Sequence, residues 1–389
     1  MMTITHMLFF LGSLFVLLGL EHVYIFIHLS NYLHLTGGMR RIVAVLCSVL
    51  FVVAISALPA ARYLSRAWAE PFVWVSFSWM GISLLLLLAL LAIDLAWLFY
   101  RMLPVTPAID PERRIFLQRA FGFAAVGATG LVSGYSFWKG LRPVAVKPLT
   151  INLGRLPQAF DGLRIVQITD LHIGPMIDGR WLGHIVDQVN DLQPDIIAVT
   201  GDLVDGSVED LKEHVAALAR LTAPHGVYFI TGNHEYYSGV EPWCAHIADL
   251  GLRVLRNERV TIGKDGASFD LAGVDDWAAH RFPGEGADLA KALTGRDPDK
   301  ALILLAHQPA TINEAAENGV DLQISGHTHG GQIWPFGYFV HMQQPYIKGL
   351  HRHLDTATQI YVSEGTGYWG PPMRLGTSAE ITEIILRAG

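Results

Sequence analysis

Charged residues and cysteines are scarce in this chain of 389 residues. Asp, Glu, Lys and Arg make up 16% of the sequence, whereas hydrophobic residues make up 51%. Disordered chains are poor in apolar residues and coiled coils are rich in Glu and Lys, so this composition excludes both classes. The two cysteines, Cys47 and Cys244, are too few for a disulfide framework. We interpret both as small buried hydrophobic residues.

The few charges are unevenly distributed along the chain. Residues 1–137 hold 8 of the 28 basic and 5 of the 35 acidic side chains, a net charge of +3, and the remainder carries −10. An excess of negative charge opposes binding to a polyanion, so no nucleic acid is expected as a partner. The distribution predicts a membrane part followed by an acidic soluble part.

The first 138 residues are predicted to form a transmembrane region of about four helices. A helix needs about 20 apolar residues to cross the hydrocarbon core of a bilayer. The apolar runs that approach or exceed this length are residues 7–28, 42–59, 72–100 and 120–138. Two acids, Glu21 and Asp94, lie inside these runs, and pairing with nearby polar groups is favoured over a conduction pathway.

The arginines before the fourth apolar run indicate how the chain is oriented in the membrane. Residues 113–117 (RRIFL) have the order of a twin-arginine export signal, although Glu112 and Gln118 depart from it. An ordinary positive-inside cluster explains the arginines equally well, and both interpretations place them in the cytoplasm. We therefore expect a multi-pass protein of a bacterial inner membrane with an extracytoplasmic soluble domain.

From about residue 149 the sequence changes to short β-rich runs separated by helical patterns, which is typical of layered α/β domains. The predicted buried strands are residues 163–169, 195–200, 227–231, 301–306 and 320–325. A metal-binding residue type follows each of them. These residues are Asp170 and His172, then Asp202, then Asn233 (with His234 beside it), then His307, and finally His327 and His329. Open α/β sheets bind ligands at the carboxyl ends of their strands, so we expect these side chains to gather at one edge.

The mixture of ligand types indicates a particular chemistry. Carboxylate, amide and imidazole groups together suit a pair of divalent transition metals such as Mn, Fe or Zn. A bridging carboxylate, for which Asp202 is the candidate, would hold two ions roughly 3.5–4 Å apart. Coordination lowers the pKa of water from 15.7 towards about 7, so the expected nucleophile is hydroxide.

This ordered series resembles the calcineurin-like metallophosphoesterase superfamily, whose pattern is D-x-H, GD, GNH(E/D), H and GHxH. All five blocks are present in order, and the resemblance extends over residues 149–389. It implies a four-layer αββα sandwich after the transmembrane helices. The tail, residues 361–367, 372–376 and 379–381, is similar to that of membrane-associated bacterial phosphoesterases related to UDP-2,3-diacylglucosamine pyrophosphatases.

The resemblance also implies roles for individual residues. One metal would be held by Asp170, His172, Asp202 and His329, and the other by Asp202, Asn233, His307 and His327. His234 would donate a hydrogen bond to a phosphate oxygen and protonate the leaving group.

Two features beside the motif blocks have open interpretations. Residues 333–350 (IWPFGYFVHMQQPYIKGL) predict either an apolar rim facing a bilayer or acyl chain, with Lys348 near the phosphate, or a hairpin that completes the core. Arg374 is expected either to grip phosphate or to pair with a surface acid.

The predicted function is hydrolysis of a phosphoester or pyrophosphate bond, of the phosphodiesterase or pyrophosphatase type, in a lipid-linked or cell-envelope compound. One alternative is a membrane sensor or scaffold that binds metal without turnover. Another is a dimetal nuclease, which the negative charge of the soluble part disfavours.

Overall fold

The computed structural model describes residues 4–102 and 110–389, which divide into two compact units. The helical unit extends to Leu141 and includes residues 370–373, and the second unit comprises residues 142–369 and 374–389. The boundary lies at residue 141, three residues beyond the apolar run that ends at residue 138.

Five helices form the described part of the helical unit. They are α1 (Ile4–Tyr32), α2 (Gly37–Ile55), α3 (Ala57–Tyr63), α4 (Arg66–Met102) and α5 (Pro111–Leu141). All except α3 contain a stretch long and apolar enough to cross a membrane. Most extend beyond the apolar runs that predicted them, because hydrophobicity marks the part of a helix suited to lipid and not its ends. The run 42–59 differs, since its last residues lie in α3.

The N-terminal end of α5 shows why the helix starts before its apolar run. The Oδ1 atom of Asp110 accepts hydrogen bonds from the backbone N–H groups of Glu112 (2.9 Å) and Arg113 (3.2 Å). This caps the first turn, so residues 113–117 are helical. The arginine cluster therefore belongs to the helix itself.

The second unit contains two six-stranded sheets. The first has the order β1-β12-β2-β3-β4-β5, with β1 at Ala145–Leu153, β2 at Arg164–Ile168, β3 at Ile196–Thr200, β4 at Val227–Ile230, β5 at Arg253–Val254 and β12 at Glu380–Ala388. The second has the order β10-β11-β9-β8-β7-β6, with β6 at Glu258–Lys264, β7 at Ala267–Gly273, β8 at Leu302–Leu305, β9 at Leu322–Ser325, β10 at Gly349–Arg352 and β11 at Gln359–Val362.

The second unit also contains the helices α6 (Gly179–Asp191), α7 (Val208–Val215), α8 (Asn233–Ser238), α9 (Val240–Asp249), α10 (Leu289–Ala292), α11 (Ile312–Glu317) and α12 (Gly337–His341). Of these, α6, α7 and α9 pack on the first sheet and α10 and α11 on the second, whereas α12 buries no residue. Successive strand residues point to opposite faces. In β2, Ile165 joins the core between the sheets, whereas Val166 joins the core beneath α6 and α7. A third core, which includes Ile312, lies between the second sheet and α10 and α11. The unit is a four-layer αββα sandwich, as the sequence predicted.

The strand order brings the motif blocks together. Strands β2, β3 and β4 are parallel neighbours in the first sheet, and β8 and β9 are parallel neighbours in the second. Parallel neighbours end at the same edge of a sheet, so the loops that follow them are adjacent. All five predicted metal-binding loops leave these strands.

Candidate metal centre

The loops after β2 and β9 bring together a first group of donors. One ligand atom from each of Asp170, His172 and His329 lies within 4.8 Å of the others. The Nε2 atoms of His172 and His329 are 3.1 Å apart, and the latter is 3.4 Å from Asp170 Oδ1. All three residues are buried.

A second group joins the loops after β3, β8 and β9. Ligand atoms of Asp202, His307 and His327 lie within 4.8 Å of one another, with His307 Nε2 3.1 Å from Asp202 Oδ2. The other ring nitrogen of His307 is 2.7 Å from the carbonyl oxygen of Thr200 and donates to it. A metal-binding histidine commonly uses such a bond to fix its ring and leave Nε2 for the cation.

Asp202 lies close to both groups. Its Oδ2 atom is also 3.9 Å from His172 Nε2, and its Oδ1 atom accepts a hydrogen bond from the backbone N–H of His234 at 2.9 Å. Asn233, at the start of α8, has a buried Oδ1 atom without a hydrogen-bond partner among the described residues. Burying an amide oxygen without a partner is costly, and a cation would satisfy it.

The backbone at these positions is unusual. Five of the donor residues have φ in the left-handed region, with values of 55° for Asp170, 50° for His172, 52° for Asp202, 72° for His327 and 49° for His329. Side chains other than glycine rarely adopt this conformation, and such strain clusters at functional sites. The loops are thus shaped around the donors.

Two glycines allow these loops to approach each other. A Cβ atom at Gly326 would lie 2.3 Å from Asp170 Oδ2, and one at Gly232 would lie 2.3 Å from Asp202 Oδ1. Neither carboxylate could keep its position beside a larger residue. The glycines of the GNH and GHxH blocks therefore serve close packing against the carboxylates.

Asp205 is a residue of the site that the sequence analysis missed. Its Oδ1 atom is 2.5 Å from His234 Nδ1, and its Oδ2 atom is 3.2 Å from His172 Nδ1. Burial alone would raise the pKa of Asp205, but the charges of the two histidines outweigh burial and lower it. The only signal in the sequence is an acid three positions after Asp202.

The contact with Asp205 also affects the pKa of His234. Burial alone would lower the pKa of His234, but the carboxylates of Asp202 and Asp205 outweigh it and raise the pKa to about 9. The side chain keeps 15% of its surface exposed, whereas that of His172 keeps 2%. The raised pKa favours the protonated form of His234, and its ring reaches the open side of the site.

Glu235 ties two of the loops together. Its buried carboxylate accepts hydrogen bonds from the backbone N–H groups of Asp202 (3.0 Å), Leu203 (2.8 Å) and Gly232 (2.6 Å). These bonds join the loop after β3 to the loop after β4. The final residue of the GNHE block thus has a structural use.

The donor set fits divalent metals. Burial, together with the charge of neighbouring histidines, lowers the pKa of His327 to about 3 and that of His329 well below its ordinary value. Both imidazoles are therefore neutral and offer lone pairs. With two carboxylates and an unsatisfied amide oxygen, the clustered residues are compatible with a dinuclear metal site.

Arg374 does not pair with a surface acid, and its contact with phosphate stays a prediction. Its side chain is fully buried, and its Nη2 atom donates to the carbonyl oxygens of Gly365 (3.2 Å) and Gly367 (2.6 Å). Pairing with a surface acid requires an accessible guanidinium, whereas the Nε and Nη1 atoms of Arg374 are buried without a hydrogen-bond partner among the described residues. Arg374 instead supports the loop that packs beside Asp170 and His329.

The contacts of Lys348 are with residues outside the two donor groups. Its Nζ atom donates to the carbonyl oxygen of Gly376 at 3.0 Å and is 3.8 Å from Glu364. The side chain is 41% exposed. It is accessible, and its contact with a substrate stays a prediction.

The middle of the segment 333–350 is largely exposed. The exposed fractions are 60% for Trp334, 70% for Tyr338, 61% for Phe339 and 82% for Met342. These side chains do not pack inside. Tyr346 and Leu350, at the end of the segment, do pack against the hydrophobic cores, and Gly349–Arg352 forms the β10 strand of an antiparallel hairpin with β11. The segment starts next to the site, since Gly337 packs against Gly331 in the loop that carries His329.

Comparisons with known proteins agree with this geometry. The family model of the calcineurin-like phosphoesterases matches residues 163–331. A bovine (Bos taurus) transmembrane protein with a metallophosphoesterase domain is 40% identical over 292 residues, which cover 72% of this chain and 65% of the relative, slightly less than two thirds. A metallophosphoesterase of Helicobacter pylori strain J99 is 39% identical over 71% of this chain and 73% of its own. One from Campylobacter jejuni is 31% identical over 98% of this chain and 99% of its own.

Proposed function

The chain belongs to the calcineurin-like phosphoesterase family, and we propose that it is a membrane-anchored enzyme that hydrolyses a phosphodiester or pyrophosphate bond with two divalent metal ions. The observation that carries the proposal is the convergence of two donor groups on Asp202. His172 and His329 are 157 residues apart in the chain and 3.1 Å apart in space. A structural role alone would not require imidazoles and carboxylates to be buried together.

The proposed ligands are those implied by the motif blocks. Asp170, His172, Asp202 and His329 would hold one ion, and Asp202, Asn233, His307 and His327 the other. When bound, Mn, Fe or Zn ions supply positive charge for the phosphoryl oxygens and lower the pKa of water.

The chain's own contribution to proton transfer lies in His234 and Asp205. Asp205 accepts from Nδ1 of the protonated imidazole and so fixes the ring with Nε2 4.0 Å from Asp202. His234 would donate a hydrogen bond to a phosphate oxygen and give its proton to the leaving group as general acid.

The substrate we propose is lipid-linked or part of the cell envelope. The support is the exposed apolar segment from Trp334 to Met342, which follows the loop of His329. Exposed aromatic and Met side chains of this number are uncommon on a soluble surface and are typical of contact with apolar ligands. An acyl chain bound there would leave its phosphate near the metal ligands.

We propose that the four long helices insert in a bacterial inner membrane with the phosphoesterase domain outside the cytoplasm. Their length and hydropathy support insertion. The arginines at the start of α5, Arg113, Arg114 and Arg119, favour a cytoplasmic position for that end. One crossing by α5 would then bring the domain to the opposite side.

The experiment is a metal and activity assay on the full chain in detergent. We expect about two transition-metal ions per chain and manganese-dependent hydrolysis of a chromogenic phosphodiester. Asp202→Asn should lose both metal and activity. His234→Ala should retain metal but lower kcat by about 100-fold or more. The exposed Asp191→Asn is the matched control and should resemble the wild type.

Each alternative function predicts a different result in these assays. Full metal occupancy without hydrolysis of diesters, monoesters or pyrophosphates would support a scaffold that binds metal without turnover. Salt-sensitive binding and cleavage of DNA would support a nuclease. Loss of metal in His234→Ala would contradict the assignment of that residue as the general acid.

A further inference from the structure

The helical unit contains a cavity of about 360 Å3. It lies where α1 and α4 end and α5 begins, and its lining includes Tyr32, Asp94, Trp97, Arg101, Arg114 and Gln118. None of these residues belongs to the metal centre. The volume lies within the roughly 300–1,000 Å3 of typical small-molecule sites.

The one carboxylate of this cavity is already satisfied. The hydroxyl groups of Tyr24 and Tyr32 donate to Asp94, the latter at 2.5 Å, and His28 Nδ1 lies 2.8 Å from its Oδ2 atom. Three groups of α1 thus hold the side chain of one residue of α4. The carboxylate is oriented by these contacts and is not committed to an arginine.

The two arginines of the cavity have no such partner. Neither Arg101 nor Arg114 forms a side-chain hydrogen bond or an ion pair with a residue in the described ranges 4–102 and 110–389. The sequence between those ranges, LPVTPAI, contains no acid. Two guanidinium groups therefore line the cavity without an ion pair to its carboxylate, Asp94.

The cavity lies at the ends of the candidate spans. One span ends at Tyr32, another at Met102, and a third begins at Pro111. The ends of a transmembrane helix lie at the level of the lipid headgroups. Guanidinium groups bind phosphate with two parallel hydrogen bonds, and basic pockets between helices bind anionic headgroups. Trp97 and Leu98 add an apolar wall beside the arginines.

We propose that this cavity binds the phosphate of an anionic membrane phospholipid through Arg101 and Arg114. The glycerol and upper acyl region would contact Trp97 and Leu98. The inference rests on the membrane insertion proposed above and not on the hydrolytic activity. It assigns the helices a binding function in addition to anchoring.

The test measures lipid retention by the full chain with native mass spectrometry in detergent. Phosphatidylglycerol, phosphatidylcholine and inorganic phosphate are the three probes. We expect the wild type to retain phosphatidylglycerol in preference to phosphatidylcholine, and Arg101→Gln/Arg114→Gln to lower that retention at least tenfold. Arg113→Gln/Arg119→Gln removes the same charge from exposed positions outside the cavity and should change retention less than twofold.

Several results would overturn the proposal. Equal loss in both double variants would mean that general surface charge attracts the lipid. Unchanged retention in the cavity variant would remove the two arginines from the site. If inorganic phosphate bound the solubilised protein with the same affinity and displaced the lipid, the occupant would be a soluble phosphate. Thermal unfolding and hydrolysis of a soluble diester show that each variant is folded.

Discussion

The imidazole of His234 is held by a carboxylate that belongs to none of the recognised motif blocks. Asp205 contacts both His234 and His172, so it connects the proposed general acid to a proposed metal ligand. Partners of this kind orient a ligand or an acid and commonly contribute 10- to 100-fold to activity or metal affinity. The effect of Asp205 could thus pass through either histidine.

A substitution at Asp205 distinguishes an effect through His234 from an effect through His172. Asp205→Asn should lower kcat by about 10- to 100-fold with little change in KM, because the ring of His234 loses the acceptor that fixes it. In a His234→Ala background the same substitution should cost almost nothing further, and metal content should stay near the wild-type value. Single-turnover kinetics and elemental analysis measure both quantities. Additive losses in the double variant, together with lower metal content, would show that Asp205 acts through His172 instead.

At the scale of the residue, the sequence predicted the candidate metal-binding residues better than it predicted the residues that surround them. Residue type and position after a strand were sufficient to select Asp170, Asp202 and the histidines, because ligand chemistry is a local property. They were insufficient for Arg374, whose burial depends on loops that pack over it. A charged residue is usually exposed, and the prediction for Arg374 followed that tendency.

At the scale of the element, hydrophobicity did not distinguish a core segment from an exposed one. Residues 333–350 have the composition of a core hairpin, but only the last of them enter a hairpin strand, and Phe339 in α12 and Met342 just after it are largely exposed. Composition predicts that a segment prefers apolar surroundings, and the tertiary structure decides whether the protein itself supplies them.

The exposed segment gives a prediction about substrate preference. Phe339→Ser/Met342→Ser should lower kcat/KM for a phosphodiester with a long alkyl chain by about tenfold, because apolar contact is lost. It should leave a methyl ester with the same headgroup unaffected. Leu354→Ser, at a similarly exposed apolar position, is the control and should leave the ratio of the two rates unchanged. An equal loss with both substrates would argue that the segment supports the fold and does not contact a chain.

At the scale of the whole molecule, the positions of the charges and of the candidate spans bear on the side of the membrane. The spans run Leu11–Tyr32, Gly37–Ile55, Ala67–Met102 and Pro111–Leu141. The arginines 113, 114 and 119 lie at the start of the last span, and the acidic domain follows its end. Loops rich in arginine tend to stay in the cytoplasm.

Reporter fusions test this orientation across a single crossing. Alkaline phosphatase, which is active only outside the cytoplasm, should be active when fused after residue 389 and inactive when fused after residue 110. A green fluorescent reporter should show the reverse pattern. The reversed result would place the metal centre in the cytoplasm, and identical signals from both fusions would mean that α5 does not cross the membrane.

The sequence by itself predicted the number of long apolar helices, a layered α/β domain and the candidate metal donors, and its resemblance to a known family predicted the αββα class. Hydropathy, strand-like runs and ligand types are readable over a few neighbouring residues, so no long-range information was needed. The tertiary structure decided which donors share a group, that Asp205 contacts two histidines, and that two arginines and Asp94 line one cavity. These depend on distances between residues far apart in the chain. Such distances follow from strand order, as in the pairing of β1 with β12, and no local pattern encodes that order.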